Sequence, residues 1–190
     1  MKSFIEPPKK KAWYLNLMLN IAKKKVGMDL LPGKILAWYP KGAIGSGVME
    51  LLAAKDDSID ERIIKLIRMN ISFIMGCPFC IDMNYFQSEK YHISKKEIDA
   101  IETLNFTDIE SDNNNIFSQR EILALKYSTY ITQTPSKVEE EFMNEMKRNF
   151  SEKEIVILAV TIAQVNYWTR LNISLGIPPA GFMEMCKNDV

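Results

Sequence analysis

Apolar side chains recur along this chain at helical spacing, with polar punctuation between the stretches. From Glu61 to Gly76 the apolar positions Ile63, Leu66, Ile67, Ile71 and Ile74 fall on one face of a 3.6-residue helix, and Gly76 suits its end. The spacing Ser-x-x-Glu occurs at Ser58/Glu61, Ser94/Glu97, Ser118/Glu121, Ser136/Glu139 and Ser151/Glu154. Each pair can form a capping box, in which the hydroxyl accepts a free backbone N–H of the first turn and the glutamate reaches back to the cap. Five such starts, each entering an apolar-periodic stretch, predict an all-α protein. Helices are expected over 13–26, 61–76, 78–91, 95–104, 119–132, 137–149 and 154–175. The last is apolar almost all round and is expected to be the central buried helix. Gly176-Ile-Pro-Pro ends it, and a short amphipathic tail is expected from Gly181. Pro32-Gly33 and Pro40-Lys41-Gly42 read as breaks flanking a short aromatic helix, and 108–115, with three consecutive asparagines, as a surface loop. No strand pattern is sustained and no internal repeat is found.

Composition narrows the function classes. A chain of 190 residues with 47% hydrophobic and 25% charged residues fits one soluble globular domain. Lys plus Arg and Asp plus Glu are 24 each, so charge gives no reason to expect nucleic acid as a partner. The basic clusters Lys9-Lys10-Lys11 and Lys23-Lys24-Lys25 read as solvated surface. The longest apolar stretch, 155–165, is broken by Thr161 and Gln164 and is too short to span a bilayer. Met1-Lys2-Ser3-Phe4-Ile5 has no apolar core of an export signal, so a cytoplasmic location is expected, with no membrane partner.

Candidate chemistry lies in Cys77-Pro-Phe-Cys80, which holds two of only three cysteines. Such a pair can close a small disulfide or hold a metal. A stable structural disulfide is not expected in the cytoplasm, which leaves redox work, metal binding or a relic of one of them. Pro78 suits the first turn of a helix. A thiol at a helix N-terminus has a lowered pKa, and a second thiol three residues away can resolve an oxidised sulfur. Zinc would need two more ligands, and only Cys186 and His92 remain as good candidates, so no metal is expected. Asn166 and Arg170 are one turn apart on the last helix, with Asn172 just beyond. The three read as an internal hydrogen-bond network or subunit contact, and in the functional alternative Arg170, with Asn166, lines a substrate pocket. Asp82 reads as a structural hydrogen-bonding group, His92 as a cation at a helix end and Cys186 as an incidental thiol.

The run from Lys65 through Asn84, KLIRMNISFIMGCPFCIDMN, resembles the signature of the carboxymuconolactone decarboxylase superfamily, in its AhpD-like alkylhydroperoxidase branch. The stretch beginning Phe117-Ser-Gln-Arg-Glu-Ile-Leu resembles that family's next helix, and Phe150-Ser-Glu-Lys-Glu through Asn172 its closing helix. The resemblance implies an AhpD-like helical domain over 30–178, after an N-terminal extension with a helix over 1–29 and before a tail over 179–190. It implies homo-oligomers, trimers or hexamers, and a thiol peroxidase that needs no cofactor. Cys80 would attack the hydroperoxide and become sulfenic acid, Cys77 would resolve it as a disulfide, and a thiol reductant or redox partner protein would restore the dithiol. Two matched positions depart from the family pattern. Lys65 stands where the active members have Glu, and Asn84 where they have His. Asn84 cannot take a proton, and a lysine is ordinarily protonated already. Lys65 can instead stabilise a thiolate by charge or simply point to solvent. Asn84 can hydrogen-bond a thiolate or substrate, or serve backbone groups.

The leading expectation is therefore a thiol-dependent peroxidase or disulfide oxidoreductase acting on a small hydroperoxide. The alternatives are a non-catalytic or ligand-binding member that has lost the relay, or a decarboxylase-type lyase that does not depend on the cysteines.

Overall fold

Helix starts in this chain are fixed by short polar side chains that satisfy free N–H groups, and a computed structural model shows where each one acts. It describes residues 2–52, 57–86, 88–103 and 116–183. The helices are α1 Trp13–Val26, α2 Leu31–Leu36, α3 Pro40–Leu52, α4 Glu61–Met75, α5 Pro78–Tyr85, α6 Lys95–Glu102, α7 Gln119–Thr132, α8 Glu140–Asn149 and α9 Glu152–Ser174. A 3₁₀ turn, Glu89–Tyr91, links α5 to α6, and there is no strand among the described residues. The all-α expectation holds. The expected loop at 108–115 and Cys186 lie outside the described residues.

Three of the five expected capping boxes form, at Ser94/Glu97, Ser118/Glu121 and Ser151/Glu154. The other two do not. Asp60, not Ser58, caps α4, its carboxylate accepting the N–H of Arg62 at 2.8 Å. Asp60 lies nearer the helix start and is itself a strong capping residue. No helix forms over 136–139, Glu139 itself being extended, and α8 starts at Glu140 without a side-chain cap. The two prolines read as breaks are helix openers: Pro32 sits in the first turn of α2 and Pro40 begins α3, leaving Trp38 and Tyr39 in the turn between them. The helix expected over 78–91 stops at Tyr85 and gives way to the 3₁₀ turn.

The central helix is α4 rather than α9. Leu66, Ile67, Met69, Asn70, Ile71 and Ser72 are buried, and α4 packs against both α7 and α9. Ile63, Ile67 and Ile71 meet Leu123, Tyr127, Leu158 and Ile162 in the main core, while Leu66 and Met69 meet Ile98, Ile101 and Leu125 in a second cluster. Helix α9 contributes one face to the core but leaves Val156, Val160, Tyr167 and Ile173 exposed. Helix α1 likewise exposes Trp13, Leu17 and Ile21, spaced one turn apart. An all-round apolar sequence therefore does not mean all-round burial within one chain. No described helix is long and apolar enough to cross a membrane.

Arg62 of α4 joins helix starts that are distant in sequence. Its guanidinium donates to Glu97 and to Glu121, the glutamates of two capping boxes, and to the carbonyl of His92. Burial pushes the Glu97 carboxyl up, but the hydroxyl and N–H of Ser94 and then the paired arginine hold it below its ordinary pKa. Arg120 makes the same kind of bond to Glu154 of the third box. Removing Arg62 would strand two partly buried carboxylates. Arg62→Ala is expected to lower the unfolding free energy by roughly 2–4 kcal/mol in denaturant titration, with Arg62→Lys restoring only part because it lacks the planar fork.

Candidate functional site

The local sequence Met75-Gly76-Cys77-Pro78 turns the chain sharply from α4 into α5. Gly76 takes a left-handed conformation with φ of 59°, and its N–H bonds back to the carbonyl of Phe73. A side chain at that φ would be strained. The turn leaves Cys77 as the cap of α5, its sulfur accepting the N–H of Cys80 at 3.3 Å. The two cysteines are disulfide-bonded, with Cα atoms 5.2 Å apart. The pair is enclosed, Cys77 being 0% and Cys80 4% exposed. Ile35, Phe79 and Ile177 pack around it, with Met83, Leu175 and Ala180 at the margins.

Beyond this apolar sheath lie amides and hydroxyls. Nδ2 of Asn84 donates to Ser72 Oγ at 3.0 Å and to the carbonyl of Cys80 at 2.9 Å, and Ser72 Oγ donates to the carbonyl of Arg68. Asn84 thus ties α5 to α4 through backbone and hydroxyl rather than through sulfur. Lys65 does not point to solvent. Its Nζ donates to the carbonyl of Phe86 at 3.1 Å, just past the end of α5, and lies 5.6 Å from the centre of the Tyr91 ring. Burial, reinforced by the nearby Arg68 guanidinium, pushes the Lys65 amine down to about 7. Arg68 in turn reaches Glu50 of α3, whose other oxygen accepts from Gln164 and Trp168 of α9.

Two residues outside the sequence-derived set touch this site. Nδ2 of Asn172, on the last turn of α9, lies 3.4 Å from Cys80 Sγ. Asn172 was legible only as a polar residue in an apolar helix; 92 positions separate it from the cysteine. Asp82, read as a structural group, is buried and accepts four backbone N–H groups, from Ala180, Gly181, Phe182 and Met183, at 2.8–3.1 Å. It pins the segment 180–183 over α5, where Phe182 stacks on Phe86 with ring centres 5.0 Å apart.

Asn166 and Arg170 do not join the cysteines. Asn166 donates to Thr132 Oγ1 and the carbonyl of Ile162, Arg170 reaches Thr134 Oγ1 at 3.5 Å, and both border an open depression of about 460 Å³ beside Pro135. A different depression of about 400 Å³, walled by Ile5, Trp38, Tyr39, Leu171 and Leu175, adjoins the cysteine pair through Ile35. Ile5 is held there by bonds on either side of it, the Phe4 N–H on the Leu175 carbonyl and Trp38 Nε1 on the Glu6 carbonyl. The ring of His92 is exposed, and its backbone carbonyl serves Arg62. Among the described residues no three His, Cys, Asp or Glu side chains gather in a way that could hold a metal ion.

No family model matches the chain. It is 32% identical over 123 residues to the uncharacterized protein YdfG of Bacillus subtilis strain 168, a match covering 64% of this chain and 79% of YdfG. Among solved structures it resembles the debrominase Bmp8 in complex with 2,3,4-tribromopyrrole, with a TM-score of 0.78 and 17% identity over 99% of this chain and 98% of that one. It also resembles a peroxidase-related protein of Ralstonia eutropha JMP134 with an alkylhydroperoxidase AhpD core. That TM-score is 0.79, with 15% identity over 95% of this chain and 94% of the other. A protein of unknown function from Agrobacterium tumefaciens gives a TM-score of 0.66 at 21% identity over 76% and 94% of the two chains. At these identities the structural likeness is one of fold.

Two outcomes follow from the geometry. Lys65 is charged in the folded protein only below about 7, whereas an unfolded lysine stays charged up to its ordinary value of 10.5. The cost of burying it is therefore full below about 7 and fades as pH climbs toward 10.5. Lys65→Met is expected to raise the thermal midpoint more at about pH 6 than at about pH 10, read by circular dichroism. Asp82→Ala is expected to cost roughly 2 kcal/mol and to speed hydrogen exchange selectively at the amides of 180–183.

Proposed function

We propose, since this chain belongs to one family with Bacillus subtilis YdfG and carries the AhpD-like helical fold of the carboxymuconolactone decarboxylase superfamily, that it is a thiol-dependent oxidoreductase reducing a small hydroperoxide through Cys77 and Cys80. The observation that carries this reading is the placement of both sulfurs, within disulfide distance, at the start of α5 in an apolar sheath. Cys80 is the attacking thiolate. It displaces the alkoxide of the hydroperoxide and becomes sulfenic acid, while the alkoxide takes a proton from solvent to leave as alcohol. The Cys77 thiol then attacks the Cys80 sulfur, water departs and the disulfide forms. Two external thiols, from a small reductant or a redox partner protein, return the pair to the dithiol and are themselves joined as a disulfide.

No acid–base relay of the family type supports this cycle. Asn84 is committed to Ser72 and a carbonyl, and Lys65 to the carbonyl of Phe86. The thiolate is prepared by fixed dipoles instead, which lower its pKa without supplying a proton to the leaving group. Slow turnover with hydroperoxide follows.

The apolar depression beside the pair favours a second reading, because it is walled by Trp38 and Tyr39 and suits a flat aromatic guest. In that reading the dithiol gives two electrons to a halogenated ring. The carbon–halogen bond is replaced by carbon–hydrogen, halide and a proton leave, and the disulfide forms. The likeness in fold to a debrominase makes this worth separating.

Rapid thiol titration of the reduced protein before and after a hydroperoxide pulse tests the first reading. Loss of two thiols per chain is expected in wild type, with sulfenic acid trapped at Cys80 in Cys77→Ser and no oxidation at Cys77 in Cys80→Ser. Thiols that stay unchanged while the fold is intact would sink it. Bromide release from a bromopyrrole, with loss of the same two thiols, would favour the second.

A further inference from the structure

We infer that Asn172 is a catalytic residue of this site, its side-chain amide stabilising the thiolate of Cys80 in the reduced enzyme. The inference rests on the reading above of Cys80 as the attacking sulfur. Asn172 is 2% exposed, and its Nδ2 lies 3.4 Å from Cys80 Sγ across 92 residues of sequence. In the disulfide that sulfur is a weak acceptor. Reduction turns it into an anion, and the same contact becomes a charge-assisted hydrogen bond in a site largely shielded from bulk water, Cys80 being 4% exposed. Hydrogen bonding to the charged form lowers a pKa.

The other end of the amide supplies an independent observation. Oδ1 of Asn172 is buried and has no hydrogen-bond partner among the described residues in the disulfide state. An apolar side chain would fill the position without leaving a buried acceptor unmet. An amide at this position is understandable for the reduced and oxygenated states. After a half-turn about its last bond, Oδ1 can accept from the S–H of a protonated Cys80 or from the O–H of its sulfenic acid. One neutral residue can thus serve the thiolate, the thiol and the sulfenic acid in turn, without exchanging a proton with any of them.

The groups facing Cys80 leave this contact distinct. From α2 and the segment after α9 it meets Ile35, Ile177 and Ala180, which do not titrate. On α5 itself, Asp82 is held by the four N–H groups of 180–183. On α4, Lys65 is held by the Phe86 carbonyl and Arg68 by Glu50. Among the described residues Cys77 is the remaining titratable neighbour, and replacing it by serine isolates Cys80 from it.

The rate of Cys80 alkylation by iodoacetamide, followed against pH at the Cys80 peptide by mass spectrometry, provides the test. It is run in Cys77→Ser and in the same background with Asn172→Leu or Asn172→Asp. The midpoint is expected to rise by about one unit in Asn172→Leu, which slows alkylation about tenfold near pH 7 and leaves the high-pH plateau unchanged. Asn172→Asp, nearly identical in shape, should raise the midpoint further by setting a carboxylate against the thiolate. Midpoints equal to that of Cys77→Ser in both would overturn the inference. Wild type gives a measurement free of folding defects. The nitrogen-15 side-chain amide signal of Asn172 should shift with the Cys80 midpoint in reduced protein and stay fixed in Cys80→Ser; a signal that ignores the thiol would equally overturn it. Should hydroperoxide fail to oxidise a Cys80 whose midpoint still depends on Asn172, the peroxidase reading fails and this inference stands.

Discussion

Helix α4 is largely enclosed by its neighbours, so most of the polar groups it carries inward are met by partners inside the protein. That constraint organises the rest. Arg62 gathers Glu97 and Glu121, Lys65 takes the carbonyl of Phe86, and Arg68 takes Glu50. Asn70 donates to Leu125, Ser128 and Thr129, and Ser72 accepts from Asn84. Together these bonds fasten α4 to α6, to α7, to α3 and to the last turn and end of α5. Apolar contacts supply most of the driving force for such packing, but they tolerate sliding. The polar bonds set the rotation and register of α4 against its neighbours. They therefore set where Gly76 ends it and where Cys77 begins the next helix.

The site inherits its character from that arrangement. The family resemblance of the sequence implies a proton-moving Glu and His where this chain has Lys65 and Asn84. Here the corresponding positions hold α5 to α4 instead. A buried amine pushed down to about 7 stands at the far end of α5, engaged with a carbonyl. Around the sulfurs the polar contacts are a backbone N–H and a side-chain amide, neither of which titrates near neutral pH. The result is a pair with a prepared environment and little means of delivering protons. That combination suits electron exchange between sulfurs as well as it suits peroxide reduction.

What could be read from sequence was what depends on near neighbours. Ser94, Ser118 and Ser151 announced their helices because a capping box needs only four residues. Ser58 failed because Asp60, two positions on, competes for the same N–H groups. Pro32 and Pro40 were legible as discontinuities but not as helix openers, since the same residue marks both. The apolar face of α9 looked like core because exposed and enclosed apolar surface have the same composition. Lys65 was read as a possible solvent-facing charge because nothing within a turn of it predicts the Phe86 carbonyl, 21 residues away. Asn172 and Asp82 depend on pairings across more than 90 positions, and periodicity carries no information about those.

The bond between Asp82 and the segment 180–183 has a consequence for how this protein is made. The cysteine helix leaves the ribosome about a hundred residues before the segment that closes over it, a separation of 98 to 101 positions. At ordinary elongation rates that is an interval of about 5–20 s. Through it the two thiols are attached to a chain that already holds α4 and α5 but not the wall formed by Ile177, Ala180 and Phe182. A nascent chain can therefore meet oxidants, or a disulfide-bearing chaperone, with its sulfurs less covered than in the finished molecule.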